Sequence, residues 1–310
     1  MRKIFSICLI MSAAVVQALQ AQPPGIEPHI FGGEHHDVLV SMDLTADGNL
    51  IAAGHTSSYG SGILDVYLAK LDMQGNVLWD KTYGGENWDD ARQVITTQNG
   101  GFICVGATSS FYAEEYDMLI LRTDQNGDTV WTKLIGGEEN ELCTSVLEAA
   151  DGNFYLGGFT DSFGAGQSDV YVVKIDSLGN ILWTQTYGSL CNDYCSSMAI
   201  SADGGILIGG WTFPLTDYDR DILLFKIDDT GNVIWQKVID LGYPDFCNAI
   251  AATADSGCIM VGGTHLYEES EVSDIIMLRF NSEGDTLWSR VYGGNSWDEG
   301  RCIFPTRDGG

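Results

Sequence analysis

Positive charge is scarce in this sequence. Fifteen Lys and Arg stand against 43 Asp and Glu, for a formal net charge of −28. Such a surface repels phosphate backbones and anionic membranes, so nucleic acid is not an expected partner. Long apolar runs are missing beyond the first residues, so no membrane span is expected. Helical periodicity is also missing there. No Ser-His-Asp order and no phosphate-cradling glycine loop stands out. Eight cysteines are present, seven once Cys8 is set aside with the leader. An odd number leaves at least one thiol unpaired within the chain.

The first residues have their own pattern. Arg2 and Lys3 precede an apolar run from Ile4 to Val16, and Ala18 and Ala21 offer small residues for cleavage. This reads as a Sec-type signal peptide over 1–21, and hence as a secreted or cell-surface protein. Removing Arg2 and Lys3 takes the charge from −28 to −30. Export permits disulfides without requiring them.

What the sequence does have is repetition. Trp79, Trp131, Trp183, Trp235 and Trp288 are spaced by 52, 52, 52 and 53 residues. Asp65, Asp117, Asp169, Asp221 and Asp274 keep that step, as do Gly75, Gly127, Gly179, Gly231 and Gly284. The turn residues Asp47, Asn99, Asp151, Asp203, Asp255 and Asp308 carry it into a sixth, partial copy. A period this regular marks a repeat fold.

Each copy holds four short apolar runs divided by turn residues, as in 91–97, 101–108, 117–123 and 128–136. They read as four antiparallel strands, A to D, with short A–B and C–D hairpins. Four strands in about fifty residues is the size of a β-propeller blade. The expected fold is therefore all-β, with blades at 34–85, 86–137, 138–189, 190–241 and 242–294 and a partial one at 295–310. Small side chains in strand A (Ala91, Cys143, Ser145, Cys195, Cys247) suit an innermost strand. On that placement Cys143, Cys195 and Cys247 should not pair with one another. The Trp of strand D is expected to wedge between neighbouring blades.

The pattern D-x-x-G-N-x-x-W-x-x-x-Y-G-G, followed by an acid, D-G and G-x-T, resembles the bacterial β-propeller repeat family called SBBP over about residues 30–310. The resemblance implies an exported or surface propeller, usually a module without assigned catalysis. Copy four departs from it with Ile239-Asp240-Leu241, and copy five with Asn281. The sixth copy breaks off at Arg307-Asp308-Gly309-Gly310, so further residues are expected to complete a ring of six to eight blades. The arm at 22–33 is expected to supply a closing strand, and the complete ring to be a monomer.

Antiparallel connectivity puts the B–C and D–A connections at one end of every blade. Two acidic series collect there. Asp37, Asp89, Glu141, Asp193, Asp245 and Asp298 precede strand A, while the Asp65 series precedes strand C. Two readings stand. The carboxylates accept backbone N–H bonds and tie blades together, or they form an acidic mouth for a cation such as calcium. No cofactor is required by any motif. The B–C loops vary between copies and carry Tyr59, Phe111, Tyr112, Phe163, Phe213, Tyr218 and Tyr267, with Trp88 and Trp297 in D–A loops. Variable loops on a rigid scaffold are where binding usually resides, and aromatics beside carboxylates suit a glycan or protein ligand. The other reading folds these rings back onto the blade.

Two enzyme readings are open to the sequence. Asp72-x-x-Gly75-x-x-x-Trp79 resembles the Asp-box of sialidase-type propellers, but its spacing is off and its hairpin lies at the opposite end. Arg122 and Arg279, late in strand C, do not build a carboxylate-binding cluster. A quinone-dependent dehydrogenase would carry a vicinal cysteine pair, which Cys191 and Cys195 do not form. His35-His36-Asp37 is a metal-capable cluster or solvated surface. The expectation is a non-catalytic extracellular binding or scaffold module, with a sialidase-like glycan-active enzyme as the alternative.

Overall fold

The computed structural model describes residues 30–111, 113, 115–214, 219–265 and 272–306. The leader, residues 22–29 of the arm, Tyr112, Tyr218, Tyr267 and the last four residues lie outside the described set. Every regular element within it is a strand.

Each copy of the repeat builds one four-stranded antiparallel sheet in simple chain order. The first blade holds β1 (Asp37–Leu44), β2 (Leu50–Thr56), β3 (Asp65–Leu71) and β4 (Val77–Tyr83). The second holds β5 (Asp89–Thr96), β6 (Phe102–Thr108), β7 (Asp117–Thr123) and β8 (Thr129–Ile135). The third holds β9 (Glu141–Glu148), β10 (Phe154–Thr160), β11 (Asp169–Ile175) and β12 (Ile181–Tyr187). The fourth holds β13 (Asp193–Ile200), β14 (Ile206–Thr212), β15 (Asp221–Ile227) and β16 (Val233–Ile239). The fifth holds β17 (Asp245–Ala252), β18 (Cys258–His265), β19 (Ser273–Phe280) and β20 (Thr286–Tyr292). The chain divides into two compact units at Val146/Leu147, within β9.

In the first unit the core lies between sheets. Ile51, Val66 and Leu68 of the first blade pack with Val94, Phe102, Leu119 and Leu121 of the second, and Trp79 and Tyr83 close over them. The Trp79 ring stands 6.0 Å from Phe102. In the second unit the same arrangement recurs twice: Trp183 and Tyr187 cover a cluster around Ile208 and Phe225, and Trp235 one around Met260 and Phe280. Trp183 Nε1 donates to the Asp229 carbonyl at 3.1 Å, and Trp235 Nε1 to that of Ser282 at 2.9 Å. These three tryptophans are the wedges the repeat predicts. Trp131 is half-buried. Trp288 differs: it is 36% exposed on a strand exposed throughout, because no strand follows β20 among the described residues.

The remaining devices hold the backbone. The C–D turn is closed by its acid, with Asp72 Oδ1 accepting from Gln74 N and Asn76 N at 2.8 and 2.9 Å. Asn281 does the same through its amide oxygen, so the departure in copy five keeps the turn. The A–B turn needs a left-handed residue, supplied by glycine at 48, 100, 152 and 204 and by Ser256 (φ 63°) in the fifth blade. A cation late in the third strand pins that turn: Lys70 to Asp47 at 2.7 Å, the buried Lys226 to Asp203 at 2.6 Å, Arg279 to Asp255 at 2.7 Å. Arg122 serves through Asn99 and the Phe102 carbonyl. The first strand of a blade also binds that of the next, as Ser41 Oγ accepts Val94 N–H and Ser197 Oγ accepts Ile250 N–H. Among the described residues no disulfide is formed. Burial pushes the Cys104 and Cys247 thiols well up, and that of Cys258 to about 12, which makes them inert apolar filler.

Phe31 packs against Tyr67, Ala69 and Leu71 of the first blade. Gly33 N donates to Asp37 Oδ2 at 2.7 Å, as Gly85 N does to Asp89 Oδ2 at 2.8 Å. Residues 31–33 thus occupy the place that the end of a fourth strand occupies before the next blade.

Candidate functional site

The acids at the strand entrances are built into the backbone. Asp89 is buried and accepts from Gly85 N, Thr108 Oγ1 and Ser110 Oγ. Asp37 has the matching set in Gly33 N, Thr56 Oγ1 and Ser58 Oγ. Burial works to raise its carboxyl, yet these bonds prevail and hold it below the usual range. Glu141 takes Gly137 N, Asp193 takes Ser189 N, Asp245 takes Leu241 N and Asp298 takes Gly294 N. For the five after Asp37, the acid's own backbone N–H also reaches back to the preceding blade: Asp89 to Leu64 O, Glu141 to Tyr116 O, Asp193 to Ser168 O, Asp245 to Arg220 O and Asp298 to Ser273 O. The carboxylates thus fix the D–A connections, and the backbone beside them joins blades. Among the described residues no three His, Cys, Asp or Glu side chains are grouped as metal ligands.

The two acidic series meet in pairs. Gly84 packs directly against both Asp65 and Asp89, and Gly188 against Asp169 and Asp193. Burial raises Asp65 and Asp193 above the usual carboxylate range, and the neighbouring acid adds to it. In copy four Asp240 replaces that glycine. Burial first, then the charges of Asp219 and Asp240, push Asp245 up to about 6.

Tyr59, Trp88, Phe111, Phe163 and Trp297 are all exposed, and two of them, Tyr59 and Phe163, lie along their own blades. Tyr59 lies 6.5 Å from Tyr67 and donates to Gly32 O, and Phe163 lies 5.7 Å from Tyr171. Phe111 sits at φ 56° and lines a cavity of about 240 Å³ with Tyr83, Leu119 and Leu121. Trp88 bridges to Leu64, and Trp297 stands edge-on 5.6 Å from His265. No ring contact joins Tyr59, Trp88 and Phe111 to one another among the described residues.

A different aromatic group does converge, in the second unit. Phe159 (β10) meets Tyr194 (β13) edge-on at 4.8 Å, and Tyr194 stacks on Trp211 (β14) at 4.0 Å. Trp211 meets Phe213 at 5.4 Å. The Arg220 guanidinium lies 5.8 Å from the Trp211 ring and 5.0 Å from that of Phe246 (β17). The row runs across three blades at the end carrying the B–C and D–A connections. Phe159, Tyr194, Trp211, Phe213 and Arg220 stay half-exposed. Ser168 Oγ, 3.1 Å from Tyr194 Oη, donates to Asp161 Oδ1 at 2.6 Å, so hydroxyls and a carboxylate flank the rings.

Comparison with known proteins bears on the scaffold. Residues 45–77 match the family described as "Domain of unknown function (DUF5122) beta-propeller". A protein of unknown function from Bacteroides caccae superposes with a TM-score of 0.50 at 12% identity, over 82% of this chain and 81% of that one. The Pan2 WD40 domain of Neurospora crassa gives 0.55 at 12% identity, over 82% and 66%. The fold is a β-propeller. Regulatory protein FlaEY of Caulobacter vibrioides is 25% identical over 251 residues, which is 72% of this chain. The chain spans about a quarter (26%) of that relative's length.

On a propeller scaffold the aromatic row is the group that breaks the repeat. Tyr194 and Trp211 face each other in register, as Val38 and His55 do in the first blade, Asp90 and Ala107 in the second, and Phe246 and Gly263 in the fifth. Of the row only Phe213 came from the loop reading. The signal for the rest was available, because the residue after each first-strand acid and the residue before each second-strand Thr change from copy to copy. Chemically, such a row presents ring surface, hydroxyls, one carboxylate and one cation.

Proposed function

We propose that this propeller is a non-catalytic saccharide-binding module acting outside the cytoplasm, at the cell surface or in the medium. The observation that carries the reading is the non-repeating row Phe159–Tyr194–Trp211–Phe213 set into an otherwise repetitive scaffold. Every strand-entrance acid and wedging tryptophan has a structural task, whereas this half-exposed row has chemistry beyond packing. Aromatic rings beside hydroxyl and carboxylate groups match the C–H faces and hydroxyls of a sugar. Export rests on the basic, apolar and small-residue pattern of 1–21. Calcium is proposed as an accessory ion at most.

The test is retention on an immobilised glycan panel, with and without calcium, for the wild-type chain and Trp211→Ala. Binding of at least one glycan that drops 10-fold or more in Trp211→Ala is the expected result. Binding unaffected by Trp211→Ala, or no retention at all, overturns the reading.

A further inference from the structure

The sequence holds few arginines, and almost all of those described are occupied. Arg92 pairs with Asp90 at 2.7 Å, Arg279 with Asp255 at 2.7 Å and Arg301 with Glu299 at 2.8 Å. Arg122 donates to Phe102 O and Thr97 Oγ1, and Arg290 to Ser289 O. Arg220 is the exception. Among the described residues its guanidinium donates no hydrogen bond and makes no ion pair. Its recorded partners are the rings of Trp211 and Phe246. Its backbone is fixed on both sides, with N–H donated to Asp219 Oδ1 at 2.7 Å and the carbonyl accepting from Asp245 N at 2.6 Å.

A guanidinium carries five N–H donors in a planar fork that matches a carboxylate. Resting on aromatic faces leaves those donors unused and holds the fork in place at little further entropic cost. In a protein of charge −28, an unpaired cation is an unusual thing to keep. Asp219, the preceding residue, turns its carboxylate to the Arg220 backbone N–H. Ring surface, flanking hydroxyls and one free fork together fit a sugar that carries a carboxylate.

Resting on the saccharide-binding reading above, we propose that the site selects uronic-acid-containing glycans, with Arg220 taking the uronate carboxylate and the aromatic row taking the sugar ring. Salt screens this contact and also the repulsion between a polyuronate and a chain of charge −28, so the carboxyl-reduced polymer, not added salt, isolates the contact. Phe159 and Tyr194 would receive the neighbouring residue of the chain.

The experiment measures retention on three immobilised uronate polysaccharides (polygalacturonate, alginate and a glucuronate-bearing xylan), each beside its carboxyl-reduced form. The proteins are wild type, Arg220→Gln, Arg220→Lys and Trp211→Ala, with thermal midpoints measured to confirm folding. The expected result is binding of at least one uronate polymer, about 10-fold or more weaker for its carboxyl-reduced form. Arg220→Gln should lose the same factor on the uronate form alone, with Arg220→Lys intermediate. Equal retention of native and reduced polymers, or no effect of Arg220→Gln, overturns the proposal. Retention of neutral glycans through Trp211 then leaves the saccharide-binding reading standing, whereas failure to retain any glycan removes both. Should Arg220→Gln not fold, the native-versus-reduced comparison on the wild-type chain decides alone.

Discussion

The first and fourth blades share a register and differ in what they put on it. Val38 faces His55 in one, and Tyr194 faces Trp211 in the other, at the same two places in the strand ladder. In the first blade His55 stacks on His36 at 5.7 Å, and in the second Asp90 is spent on Arg92. In the fourth the same register carries a stacked aromatic pair continued by Phe159, Phe213 and Arg220. The backbone solution is identical, so the difference is not required by the fold. Positions that repeat hold the blades together, and positions that stop repeating are free to do something else.

Two tryptophans in one blade sharpen this most. Trp235 repeats, closes over the Met260–Phe280 cluster and donates to Ser282 O. Trp235→Ala should cost about 3–5 kcal/mol in a urea titration, the usual figure for truncating a large ring in a core, and leave glycan retention per folded molecule unchanged. Trp211 does not repeat, and Trp211→Ala should do the reverse, abolishing retention at a smaller stability cost. The comparison breaks if both variants lose stability and binding in parallel.

The next effect comes from Asp240, where copy four breaks the glycine between paired acids. Asp245 titrates near 6 in the fold against about 4 when unfolded. Its protonated form is the one the fold favours, so the associated stability is present below about pH 4 and is lost as pH rises through 6. The wild-type stability minus that of Asp245→Asn should therefore fall by about 2–3 kcal/mol between pH 4 and pH 7. A difference that stays flat, or rises, contradicts the burial argument.

A smaller effect is expected where copy five breaks the A–B turn. Ser256 holds the left-handed position that glycine holds in the other blades. Ser256→Gly should stabilise by up to about 1 kcal/mol, measured by the same urea titration, because the Cβ penalty of that conformation disappears. Gly48→Ala in the first blade should cost a similar amount, although nothing crowds that position, since its backbone angle alone (φ 78°) sets the penalty.

The scaffold was legible in the sequence because its determinants are local and repeated. Asp72, Gly75 and Trp79 recur at one step, and each has a single task visible from its residue type. The turn cations Lys70, Lys226 and Arg279 follow the same step, but Lys and Arg alternate among them, so the shared task of pinning the A–B turn shows only in the structure. The aromatic row was not legible in the same way. Phe159, Tyr194 and Trp211 sit inside strands, where an aromatic residue reads as ordinary β-sheet composition. The variable loops make their aromatics conspicuous in the sequence, and of these Tyr59 and Phe163 lie along their own blades. What identifies the row is three-dimensional: rings from three consecutive blades stacked at one end, with an unspent guanidinium between two of them.

The most direct measurement is an indole N–H NMR titration with a retained glycan. The chain has eight tryptophans, each assignable by single replacement with Phe. The account predicts that the Trp211 signal shifts with ligand, while those of Trp79, Trp183 and Trp235 stay fixed. Movement of the wedging tryptophans, or of Trp88 and Trp297 with Trp211 unmoved, would contradict it.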